Sequence, residues 1–157
     1  MTFLASLEQS ALARYVQENP VGYPLVLTTH AVGMAVLAGI VLMINFRVLG
    51  FARDVPIHYF QRLLKLALVG FLLNLVSGVM LFVADASAHA ANVAFLVKIA
   101  LLITGGCLLI ALTRRLAPAA GADVVALETG STRLIAAVSV AVWIGVIVAG
   151  RLIAYVQ

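Results

Sequence analysis

Three ionisable side chains, His30, Lys98 and Arg151, fall inside long apolar runs of this chain. A charged group within a spanning helix costs roughly 2.5–3.5 kcal/mol on insertion scales, so each marks a site unless a plainer role absorbs it. At 1.5 Å per residue, His30 lies about 8 Å from the start of its run and Lys98 about as far from the start of its own. Arg151 lies at a similar distance from the end of the last run. In helices of alternating direction these positions share one level. Near that level the expected loop Asp85-Ala-Ser-Ala-His89-Ala-Ala-Asn92 adds a carboxylate and a second imidazole.

An imidazole with two cations at its depth suits a b-type haem held between facing helices. On this expectation His30 is the axial ligand, His89 or Met80 supplies the sixth position, and Lys98 and Arg151 pair with the propionates. Copper is an alternative, because Met34 follows His30 by one helical turn and Met80 sits at similar depth. One imidazole and two thioethers suit Cu(I). The third expectation has no cofactor: the cluster binds an anionic ligand, or the bundle is an accessory or transport-related subunit of a larger membrane complex. Plainer roles stand beside these. Lys98 and Arg151 have stems long enough to snorkel to headgroups, and His30 has neighbouring helices to hydrogen-bond. Asn74 and Ser77, near the middle of the second run, read as interhelical hydrogen-bond glue. His58 lies with the cytoplasmic connection, too far from His30 to share a site.

The elements that position these residues follow from composition. Of 157 residues, 64% are hydrophobic and 10% charged, with a mean hydropathy of +1.17. Soluble domains carry about 25% charge, so a soluble globular enzyme and a disordered segment are both excluded. The pI is near 9.7, but ten scattered Lys and Arg make no phosphate-tracking face, and no nucleic-acid partner is expected. The single cysteine, Cys107, excludes an internal disulfide and a multi-cysteine metal site. Neither a Ser-His-Asp set, a phosphate loop nor a zinc-type His pair is present. A redox or accessory subunit is therefore expected rather than a stand-alone enzyme.

Four runs, 25–49, 66–84, 93–113 and 134–156, each approximate the ~20 residues of a spanning helix. They are continuously apolar rather than alternating, which excludes barrel strands. The predicted fold is all-α: one domain over 1–157, an integral membrane four-helix up-down bundle. Residues 1–19 repeat Phe3, Leu7, Ala11, Leu12, Tyr15 and Val16 at helical spacing, which predicts an amphipathic interfacial helix ended by Asn19-Pro20. Arg47, Arg53, Arg62, Lys65, Arg114, Arg115 and Arg133 flank the connections between the first and second runs and between the third and fourth. The positive-inside rule puts those connections in the cytoplasm and both termini in the periplasm of a bacterial inner membrane. The expected surroundings are the lipid bilayer, with other membrane subunits or further copies of the chain.

The chain resembles an uncharacterised family of small bacterial four-helix membrane proteins. The likeness rests on Leu7-Glu8-Gln9-Ser10-Ala11-Leu12-Ala13, the Glu18 to Pro24 turn, His30-Ala-Val-Gly33 with Gly39, and Asn45-Phe46-Arg47-Val48-Leu49-Gly50. It continues through Ser77-Gly78-Val79-Met80-Leu81-Phe82 and Asn92-Val-Ala-Phe95-Leu-Val-Lys98. That family usually carries Asp where this chain has Asn45. More distantly, a His in the first span and a Lys opening the third resemble the haem-binding four-helix protoporphyrinogen oxidases and the membrane domain of copper-resistance D proteins. The oxidase resemblance implies His30 and Lys98 as the positions that matter for haem. Its tryptophan-rich flanks and the Pro-Arg pair after the first span are absent, so porphyrinogen oxidation is not expected.

Overall fold

The structure, a computed structural model, describes residues 3–51, 55, 57–116 and 129–155, with backbone only at 57, 58, 60 and 61. Arg53 lies outside the described residues, and so does the side chain of His58. Seven helices occur among the described residues: α1 (Phe3–Glu8), α2 (Ala11–Glu18), α3 (Gly22–Leu49), α4 (Ile57–Ala84), α5 (Ala86–Ala91), α6 (Val93–Leu116) and α7 (Gly130–Leu152). No strand is present among them. Four of the helices are long and apolar enough to cross a membrane, over 22–49, 62–84, 93–116 and 130–152.

Local chemistry explains where the helices depart from the apolar runs. The single amphipathic helix expected over 1–19 is broken in two. Ser10 adopts an extended conformation and its hydroxyl accepts from Ala13 N at 3.2 Å, capping α2 as short polar side chains do at helix starts. The Asp85–Asn92 stretch, expected as a loop, winds into α5, since its alanines favour helix. Asn92 then starts α6, its side chain accepting from Phe95 N at 3.1 Å. Helix α3 begins before the apolar run, because Pro24 fits a first turn without forfeiting a hydrogen bond. It stops at Gly50, which takes φ 105°. There Gly50 N donates to Arg47 O and Phe51 N to Phe46 O, and Phe46 meets Phe51 edge-on at 5.8 Å. This is the left-handed glycine stop with its accompanying apolar contact. Helix α7 ends at Leu152, four residues short of the apolar run.

Helix α3 is the hub. Half of its most apolar stretch is buried, against 22% for α4, 11% for α6 and 28% for α7. It packs along α4 on one side and α7 on another, while α6 packs along α7. Among the described residues no extended seam joins α4 to α6. The α3–α4 seam is a backbone contact. A Cβ on Gly33 would fall 2.7 Å from Asn74 N and 2.8 Å from Gly70 O. Small residues permit this approach where lipid offers no hydrophobic drive to association.

Toward the end of α3 that carries Gly50, the core comprises Leu37, Val41, Ile44 and Val48 with Leu112, Leu116, Ala136 and Trp143. Within it the Asn45 amide donates to Ser139 Oγ at 3.0 Å, tying α3 to α7. At the opposite end α2 lays Val16 on Val26 and Ala84, with Met80 and Leu81 alongside. The Gln17 amide donates to Ala84 O, and Glu8 Oε1 accepts from Ser87 N at 2.7 Å. The two N-terminal helices are thereby fastened to α4 and α5.

Two consequences are measurable. Gly33→Ala should destabilise the detergent-solubilised protein by about 1–3 kcal/mol, as overpacking does. Gly39→Ala, where a Cβ meets nothing within 4 Å, should be neutral or slightly stabilising, since alanine is the better helix former. Thermal unfolding followed by helical circular dichroism checks both, and equal effects would contradict the close approach. The second concerns Glu8, whose pKa the Ser87 backbone N–H holds below the ordinary glutamate value. A depressed carboxylate stabilises above its unfolded value, about 4.3, and the contribution is lost as pH falls through the lower folded value. Hydrogen exchange at Ser87 N should accelerate relative to neighbouring amides as pH falls below the ordinary glutamate value, and Glu8→Gln should remove that dependence.

Candidate functional site

His30 projects from α3 toward α4, and its ring is held from both sides. Nδ1 lies 3.0 Å from Asn74 O and 3.1 Å from Ser77 Oγ. The Ser77 hydroxyl itself donates to Leu73 O at 2.5 Å, which turns its lone pairs toward the ring. A backbone carbonyl can only accept, so Nδ1 carries the proton. The opposite nitrogen, Nε2, faces donors: Lys98 Nζ at 3.2 Å and, at a long 3.4 Å, the Asn74 amide. Nε2 therefore presents its lone pair, and the ring is the neutral Nδ1–H tautomer. An imidazole proton on both nitrogens would set donor against donor at Lys98.

Four elements build this arrangement. Asn74, Ser77 and Gly78 stand three and four residues apart, on one face of α4. The Asn74 amide donates to His30 O at 2.9 Å as well, locking the two helices in register. A Cβ on Gly78 would come within 3.1 Å of His30 Cε1, so any larger residue would push the ring from its place. Lys98 reaches in from α6, its stem lying over α7 where a Cβ on Gly150 would sit 3.6 Å from Cδ, Cε and Nζ. Both His30 and Lys98 are half-buried. Among the described residues, no carboxylate pairs with Lys98, and its hydrogen bond is to the imidazole.

The structure thus joins His30 with Lys98 and leaves the other expected site residues apart. His89 lies on α5 with Nδ1 2.7 Å from Asp85 O, its ring packed edge-on against Phe82 and Phe95, which stack on each other at 5.5 Å. Arg151 is in the last turn of α7, on an exposed face of that helix. Its guanidinium donates to Tyr155 Oη at 3.3 Å and lies 5.6 Å over that ring. Met80 packs in the Val16–Val26–Ala84 cluster, whereas Met34 packs against the central core. Among the described residues, no three His, Cys, Asp or Glu side chains gather as a metal set. Asn74 and Ser77, expected as glue, are glue with a specific object: they orient the His30 ring. Their spacing with Gly78 was the available signal, since it puts two hydrogen-bonding groups beside a residue with no side chain.

Fold and site together define a class: an all-helical chain whose four long apolar helices fit a membrane protein, with one histidine–lysine pair set between them. The chain belongs to a family of unknown function (DUF6644), matched over residues 19–156. That span includes all four long helices and the whole pair. No curated protein and no solved structure matches the chain, so the comparisons lend no support to the more distant haem-binding and copper relatives.

The geometry ranks the supporting groups. Asn74→Ala removes an interhelical donor and should cost about 1 kcal/mol, in the upper part of the range for hydrogen bonds between spanning helices. Ser77→Ala should cost less, because Nδ1–H keeps the Asn74 carbonyl as acceptor. Paired unfolding measurements in one detergent check the order, and a larger loss at Ser77 would contradict it.

Proposed function

We propose that the chain is a bacterial inner-membrane protein in which His30 ligates the iron of haem b, and that it serves as a redox or electron-transfer subunit. The orientation of His30 carries this reading. Metal-binding histidines commonly commit one ring nitrogen to a carbonyl or carboxylate, which fixes the tautomer and presents the other nitrogen. His30 has that arrangement, with Nδ1–H on Asn74 O and a lone pair on Nε2. The residues present fit one axial ligation. Lys98, on a flexible stem and with no carboxylate beside it, supplies the cation for a propionate. Among the described residues no extended packing seam joins α4 to α6, so a ligand entering between their middle portions would displace few helix contacts. Bound haem supplies one-electron chemistry, while the protein sets its potential through ligand identity and burial. Seven of the ten cations flank the far connections, which favours a cytoplasmic location for that end and a periplasmic one for α1, α2 and α5.

A cofactor-free accessory subunit is the second reading. On that reading a partner subunit would cover the outward faces of α4 and α6, where Leu68, Val76, Leu96 and Ile103 are all more than half exposed. Copper ranks third, because the two methionines proposed for it pack in separate clusters.

His89 also commits Nδ1 to a backbone carbonyl, but its ring packs against Phe82 and Phe95 on α5 and not beside Lys98. Met80 packs with Val16, Val26 and Ala84. The leading reading therefore takes His30 as the protein ligand. Purified with adequate haem supply, the protein should show a Soret band with a five-coordinate, high-spin spectrum and should bind carbon monoxide when reduced. His30→Ala should retain its helical circular dichroism and lose stoichiometric haem. A wild-type protein without a Soret band under those conditions would exclude the haem reading and leave the accessory subunit.

A further inference from the structure

The nitrogen that His30 offers to a ligand is already in use. Lys98 Nζ donates to Nε2 at 3.2 Å, and that nitrogen has a single lone pair in the ring plane. It can accept from an ammonium or bind a metal, and never both at once. The Asn74 amide is no substitute holder, since its short bond goes to His30 O at 2.9 Å and its approach to Nε2 is 3.4 Å.

Lys98 has little else to hold it. Its stem crosses Gly150 at ordinary contact distances, so rotation about its side-chain bonds meets no obstruction from a side chain at 150. Its hydrogen-bond partner is His30 Nε2, and no carboxylate pairs with it among the described residues. Arg151 is occupied with Tyr155 at the end of α7 and does not share the task. A ligand that takes Nε2 through a metal therefore displaces an ammonium whose recorded hydrogen bond, among the described residues, is to that nitrogen. Leaving a half-buried charged donor without a partner is unfavourable. A ligand that brings its own acidic group restores one.

We infer that Lys98 is a specificity-determining residue: it holds Nε2 until a ligand takes that nitrogen and then moves to the ligand's carboxylate, so the site selects ligands that combine a metal centre with an acidic group. Bare metal ions and metal complexes without an acid are disfavoured because they displace Lys98 and give it nothing in return. The inference rests on the haem reading and adds to it the role of Lys98 before loading.

Ferric protoporphyrin IX and its dimethyl ester differ only in the two carboxylates. Titrating both into full-length protein in one detergent, followed by absorbance, gives a free-acid to ester affinity ratio. The ratio should fall about tenfold from wild type to Lys98→Met, and likewise in Lys98→Gln, which stays polar if methionine perturbs insertion. Comparing ratios cancels any difference in partition into micelles. The ester should also bind the two variants at least as well as it binds wild type, because Nε2 is no longer blocked. A ratio unchanged in both variants overturns the inference, while the haem reading stands provided His30→Ala binds neither porphyrin. Failure of either porphyrin to bind wild type, or binding undiminished in His30→Ala, overturns the haem reading and the inference with it.

Discussion

The contact on which the rest of the structure depends is the backbone approach of α3 to α4. With glycine at 33 and 70, the helices touch main chain to main chain, so near that a Cβ at Gly33 would lie 2.7 Å from Asn74 N. Van der Waals packing and interhelical hydrogen bonds, rather than a hydrophobic drive, hold helices together in an apolar medium. Here the first permits the second. Only at this separation can the Asn74 amide reach His30 O, and only then do Asn74 O and Ser77 Oγ lie within 3.1 Å of the His30 ring. The site is a by-product of the tightest seam in the fold.

Charge placement gives the bundle its second constraint. A half-buried ammonium without a carboxylate is an unusual economy, and the protein answers it with the lone pair of an imidazole whose other nitrogen is tied to a backbone carbonyl. The chain Asn74 O, His30 ring, Lys98 Nζ passes from α4 through α3 to α6 in three groups. It links two helices, α4 and α6, that share no packing seam among the described residues. The aromatic set of Phe82, His89 and Phe95 lies near the same end of α6, about one turn from Lys98. These contacts join α4 to α6 near the site while their middle portions stay apart.

Periodicity and apolarity reported helix existence well and helix ends poorly. The four long helices were legible because runs of about 20 apolar residues admit little else. Helix ends, by contrast, were set by Ser10 at α2, Gly50 at α3 and Asn92 at α6, whose caps are local hydrogen bonds that a hydropathy window does not weigh. Arg151 does stand at the level of Lys98, one residue past the Gly150 that the lysine stem crosses, but its guanidinium turns away in the last turn of α7 and finds Tyr155. The shared depth of His30 and Lys98 was legible, and they do meet. The shared depth of Arg151 and the nearness of His89 were not enough, because depth says nothing of azimuth. A residue five positions into a helix points wherever that helix is rotated.

The sequence by itself determined an all-helical chain with four helices fit to cross a membrane, the grouping of most cations toward one end, and the short list of ionisable residues in apolar runs. Each follows from residue type and one-dimensional spacing, since the cost of exposing a backbone polar group or an unpaired charge to hydrocarbon does not depend on which helix is next door. The tertiary structure alone decided that His30 and Lys98 form a pair, that Asn74 and Ser77 fix the imidazole tautomer, and that His89, Arg151 and Met80 are spent on other contacts. Those outcomes depend on the rotation and separation of packed helices. These in turn are governed by where two backbones can touch, a property of pairs of surfaces that no single stretch of chain contains.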